Sequence, residues 1–111
     1  MAIFPKGFAL GGLLQQAQQV QKQIEELQGE LAGLKLEGQA GGGLVTATVN
    51  GQQELLHVHI DPDLLTEDVE MVEDLIVAAV RQALSKSKEE SQKRMSQLTG
   101  TALSGLTFPE E

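Results

Sequence analysis

Five of the chain's eight lysines and arginines fall in one short segment: Arg81, Lys86, Lys88, Lys93 and Arg94. Only Glu89 and Glu90 oppose them, so five cations against two carboxylates leave a local balance of +3. Cations ranged along a regular scaffold bind phosphates by charge and by the counterions they release. On a helix Lys86 and Lys93, seven residues apart, share a face, and so do Arg81 and Lys88. Lys22, in the middle of an earlier helical segment, can join the patch, and a dimer doubles it. Such contacts position a protein on a duplex without reading bases. The plainer reading is a solvated helix whose charges suit its own dipole, acids first and bases last. From Asp61 to Asp74 there are seven acidic residues and no basic one, in keeping with that reading.

Other reactive residue types lack the company that chemistry needs. His57 and His59 stand two apart on one strand face, a spacing that can supply two zinc ligands. No third ligand is evident, although a dimer could supply one, so they read as surface or interface histidines and no metal is assigned. Gly38 to Gly43 is glycine-rich, but it has no lysine and leads into a strand rather than a helix N-terminus, so it reads as a flexible hairpin connection. Asp61 and Asp63 flank Pro62 and read as turn-capping carboxylates rather than an acid/base pair. No serine is paired with a histidine as a nucleophile, so the chain reads as a non-enzyme with no cofactor.

These residues must be positioned by a long helix. Leu10, Leu13, Ala17, Val20, Ile24, Leu27, Leu31 and Leu34 repeat at alternating steps of three and four, a 3.5-residue period. The segment spans about 37 Å as a helix, too long for a small domain to cover fully. Glutamines Gln16, Gln21, Gln23 and Gln28 flank the stripe, so no charge pattern fixes a register with a second copy, and the stripe is expected to pack within its own fold. The helix should end near Gly33. Three strands follow: Leu34 to Glu37, Leu44 to Val49 and Gln52 to Ile60. Asn50-Gly51 predicts a two-residue type I′ turn that sets Val49 opposite Gln52, Ala47 opposite Glu54 and Val45 opposite Leu56. Val45, Ala47, Val49, Leu56, Val58 and Ile60, with Gln52 and Glu54 among them, then make the face expected to meet the helices. The second face carries Leu44, Thr46, Thr48, Gln53, Leu55, His57 and His59.

A second helix starts between Thr66 and Val69 and runs to Gly100, with its outer part from Ser85 to Arg94 in solvent. The fold class is α+β, in the order α-β-β-β-α. Residues 1–9 are expected to be a flexible arm, 10–100 a single domain and 101–111 a flexible tail. The small sheet, with open edges and a half-apolar face, predicts a homodimer through Leu44, Thr46, Leu55 and His57.

Composition sets bounds on partners. Net charge is −8, which argues against indiscriminate binding to nucleic acid or anionic membrane. The longest apolar run, Leu75 to Val80, is far short of a membrane span, and the N-terminal segment is too short and glycine-broken for a signal peptide. There is no cysteine, which suits a reducing cytoplasm. With no tryptophan or tyrosine there is no platform for stacking single-stranded bases.

Several stretches resemble the YbaB/EbfC family of bacterial nucleoid-associated proteins. They are Gln15 to Gln19, Gly41 to Val45, Val49-Asn50-Gly51, Ile60 to Leu65 and Glu70 to Leu75, within residues 7–98. The resemblance implies a tweezer-like homodimer, located in the cytoplasm with the nucleoid, whose projecting helices contact duplex DNA. The expected DNA-binding residues are Lys22, Arg81, Lys86, Lys88, Lys93 and Arg94. Family members often carry more lysines along the first helix, where this chain has only Lys22. The alternative is an adaptor whose arms grip a protein, with weak or no DNA binding.

Overall fold

The structure is a computed structural model that describes the backbone of residues 10–104 and the side chains of residues 11–100. The expected N-terminal arm, residues 1–9, lies outside the described residues, as does 105–111 of the expected tail. The order is α1 (Leu10–Gly33), β1 (Leu36–Ala40), β2 (Val45–Val49), β3 (Leu55–Ile60), one 3-10 turn (Pro62–Thr66) and α2 (Val69–Ser104). This is the expected α-β-β-β-α arrangement. α2 continues through Gly100, past its expected end. At 1.5 Å per residue α2 is about 54 Å long and outruns a sheet whose strands span less than about 20 Å. The chain extends 77 × 32 × 19 Å.

The sheet is antiparallel in the order β1-β2-β3. Its inner face is where alternation puts it: Val45, Ala47 and Val49 are fully buried, packed with Leu64, Ala79 and Ala83. Val58, Ile60, Val72, Leu75, Ile76, Val80 and Leu84 close around them, half-buried. Val69, expected in this face, is exposed.

The β2–β3 register differs from the expected one. Val45 pairs with Ile60, Ala47 with Val58 and Thr48 with His57. An irregularity at Thr48/Val49 then sets Val49 opposite Leu55. Asn50 and Gly51 do not form a type I′ turn, because only Gln53 in this connection has positive φ, at 61°. Asn50 is instead buried and organises a wider loop. Its Oδ1 accepts from the backbone N–H of Gln52 at 2.9 Å and of Glu54 at 3.0 Å. Its Nδ2 donates to the Glu54 carboxylate at 2.7 Å. From Val45 to Thr48 the slip is an even number of residues, so Val58, Ile60, His57 and His59 keep their expected faces. Beyond the irregularity that parity is lost, and Leu56, expected to face the helices, is about half exposed.

Glycine sets the spacing of α2 from β1 and shapes the β1–β2 turn. β1 lies further along the chain than expected, and Gly38 is a buried strand residue rather than a loop residue. A Cβ there would collide with the Ala79 carbonyl and the Ala83 N–H, so Gly38 lets α2 approach β1 closely. Gly41, Gly42 and Gly43, with φ of 66°, 68° and 95°, make the left-handed β1–β2 turn, within the run read from the sequence as a hairpin connection.

α1 keeps its stripe only at its C-terminal end. Leu27 and Leu31 are buried, and Val20, Ile24 and Leu34 are half-buried. Leu13, Leu14 and Ala17 are exposed, so the first half of the rod projects. The Asp61-Pro62-Asp63 corner behaves as its residue types require: the Asp61 carboxylate caps the 3-10 turn by accepting from the Asp63 N–H at 2.9 Å.

Candidate nucleic-acid interface

The basic residues of α2 do not form one patch. Successive residues turn by about 100° around a helix axis. Arg81 and Lys88 therefore share a ridge on the side away from the buried Ala79, Ala83 and Ser87, and both are exposed. Lys86 and Lys93 lie along the flank nearer β1. Lys86 is tied down there, its Nζ donating to the Glu37 carbonyl at 2.7 Å. One turn earlier Gln82 Oε1 accepts from the Gln39 N–H at 2.7 Å. These two contacts fasten the free edge of β1 to α2.

Arg94 faces α1. Its Nε donates to Glu90 at 2.8 Å and its Nη1 to Glu30 at 3.3 Å. The hydrogen bond from Arg94 holds the Glu90 carboxyl below its usual range, and the same bond raises the already high pKa of the guanidinium. Arg94 thus joins the helices, with most of its charge answered internally. Lys93 borders the same cleft of about 460 Å³, alongside Glu26, Glu30, Glu90 and Arg94. Three carboxylates against two cations make that cleft a poor seat for phosphate. Lys22 stands on the far side of α1 from Leu27 and Leu31 and is exposed, as expected.

The outer segment of α2 is less solvated than its lack of apolar residues suggests. Ser87 is fully buried. Its hydroxyl donates to the Asn50 carbonyl at 2.6 Å and accepts from Gln53 Nε2 at 3.3 Å. A small hydroxyl between lysines gave no sequence signal of burial. Lys35 is exposed, two residues before the Glu37 carbonyl that holds Lys86.

Thr46 and His57 lie on the outer sheet face, with Leu55 beside them half-exposed. Leu44 does not share that open face. It precedes β2, donates its N–H to the Gly41 carbonyl at 3.4 Å and packs against the core. Among the described residues no helix is long and apolar enough to cross a membrane, and no group of three or more metal-ligating side chains assembles within one chain.

Two rods thus stand off a small sheet, with Lys22 on α1 and Arg81 and Lys88 on α2 exposed along their outer faces. The profile of the YbaB/EbfC DNA-binding family matches residues 6–102. The chain belongs to that family, a family of DNA-binding proteins and not of enzymes. It is 43% identical over 107 residues to a nucleoid-associated protein of Thermoanaerobacter pseudethanolicus, covering 96% of this chain and 93% of the relative. A nucleoid-associated protein of Legionella pneumophila is 42% identical over 102 residues, covering 92% and 88%. The crystal structure of an uncharacterized protein from Helicobacter pylori superposes with a TM-score of 0.60 at 26% identity, covering 72% of this chain and 93% of that one.

Proposed function

We propose that this chain is a nucleoid-associated protein that binds duplex DNA as a homodimer, working in the bacterial cytoplasm on the nucleoid, where it helps organise DNA or regulate genes. The observation that carries the reading is the state of three cations. Lys22, Arg81 and Lys88 are exposed on the rods, and none makes an ion pair or hydrogen bond among the described residues. Arg94 is spent in ion pairs with Glu90 and Glu30, whereas Lys86 is held by the Glu37 carbonyl, a neutral acceptor that fixes its place beside β1 without cancelling its charge. With so few free cations on a chain of net charge −8, affinity is weak and steeply salt-dependent.

The dimer forms through the sheet at β3. This strand has only β2 as a partner, while α2 packs over β1 and β2. Edge strands are normally protected by charges, proline or a cover. β3 reads Leu-Leu-His-Val-His-Ile, without a charge or proline, and Leu55 and Leu56 are about half exposed. Leu55 and His57 belong to this interface, Thr46 lies beside it, and Leu44 supports it from the core. Sedimentation velocity tests the dimer, and duplex binding by the Arg81→Gln/Lys88→Gln variant tests the contact. A dimer whose affinity for duplex is unchanged by that variant would move the function to an adaptor that grips a protein.

A further inference from the structure

We propose that the β3 strands of two protomers build a shared transition-metal site from His57 and His59 of each. The inference rests on the β3 dimer proposed above. His57 and His59 alternate with Val58, which packs against the core, so both imidazoles stand on the outer sheet face. Both are exposed, and neither makes a hydrogen bond or ion pair among the described residues. Their cross-strand neighbours are Thr48 and Thr46, small and uncharged. Residues two apart on a strand are about 6.8 Å apart, within reach of two imidazoles converging on one ion with bonds of about 2.0–2.1 Å.

One chain therefore presents half of a tetrahedral site. Antiparallel pairing of β3 with its partner about a two-fold axis places same-face residues opposite one another, with Cβ atoms about 5 Å apart. The partner's His57 and His59 then complete a set of four imidazoles. Neutral nitrogen donors select Zn²⁺, Ni²⁺ or Cu²⁺ over the oxygen-seeking Mg²⁺ and Ca²⁺. The one carboxylate on the same rows is Glu37, across Thr48 from His57. Two strand spacings, about 9.6 Å, keep it out of direct ligation.

The test uses the full chain, stripped with a chelator and then titrated with Zn²⁺ by calorimetry and with Co²⁺ by visible absorption, with mass followed by sedimentation velocity. The expected result is one Zn²⁺ per two chains, a tetrahedral Co²⁺ spectrum and a tighter dimer. The His57→Gln/His59→Gln variant should lose both metal signals while keeping its circular dichroism. A dimer that takes no metal overturns the site and leaves the dimer standing. A monomer that takes no metal overturns both. One ion per chain, or binding that survives in the double variant, overturns the shared four-imidazole site.

Discussion

The backbone N–H of Gly51 donates to the carbonyl of Leu31 at 2.7 Å, joining the β2–β3 connection to the last turn of α1. The Leu31 carbonyl, at the helix end, also accepts from the Leu34 N–H at 3.2 Å, and the Gly51 contact is the shorter of the two. It also sets the angle at which α1 leaves the sheet, and so where Lys22 stands. Gln52 Nε2 reinforces it by donating to the Gln28 carbonyl at 3.2 Å.

Glycine at this position is therefore a packing requirement. A Cβ on residue 51 would lie 2.8 Å from the Leu31 carbonyl oxygen and 2.9 Å from Leu31 Cδ2. Gly51→Ala is expected to cost about 1–3 kcal/mol through overpacking, read as a lower urea midpoint. Gly38→Ala should cost more, since it meets the α2 backbone at both Ala79 and Ala83, where no flexible side chain can yield.

Ser87 is the polar counterpart. Ser87→Ala removes the donor to the buried Asn50 carbonyl and the acceptor for Gln53 Nε2. The expected loss is about 1–3 kcal/mol, the cost of leaving a buried group unsatisfied. Unfolding of the variant in urea checks it.

How much of this was legible in the sequence varied with the range of the interaction. The 3.5-residue stripe of α1 and the alternation of β2 report local periodicity, so the helix, the strands and the buried face of Val45, Ala47 and Val49 could be read directly. The hairpin register could not. Asn50-Gly51 carries a strong local turn signal, but here Asn50 bonds forward to Gln52 and Glu54 while Gly51 is held against Leu31. The segment 81–94 was recognisable by charge. Which of its cations stay free depended on Glu37 and Glu30, which are 49 and 64 residues away from Lys86 and Arg94.

Acid should weaken the Glu90–Arg94 pair within α2. Glu90 is held below its ordinary value near 4.5 by the hydrogen bond from Arg94. A carboxyl lowered in the folded state contributes its stability in full above the ordinary value and loses it as pH falls through the folded value. Glu90→Gln should flatten that part of the decline, seen by comparing urea midpoints of the two proteins from neutral pH down through the carboxylate range.

The cations should separate by role. Arg81→Gln and Lys88→Gln are each expected to weaken duplex binding about equally for all sequences, and each to reduce the salt slope by about one. Arg94→Gln is expected to lower stability with little change in slope, because its charge is paired with Glu90 and Glu30. Lys86→Gln is expected to lower stability by removing the bond to the Glu37 carbonyl. Paired measurements of unfolding and duplex affinity on the four variants check the division.

The most direct test of the central claim is fluorescence anisotropy of a labelled duplex titrated with the protein at about 50 and about 200 mM salt. The account predicts binding at the lower salt that largely collapses at the higher, with the collapse blunted in Arg81→Gln/Lys88→Gln. No binding at the lower salt, or a salt dependence identical in that variant, would contradict it.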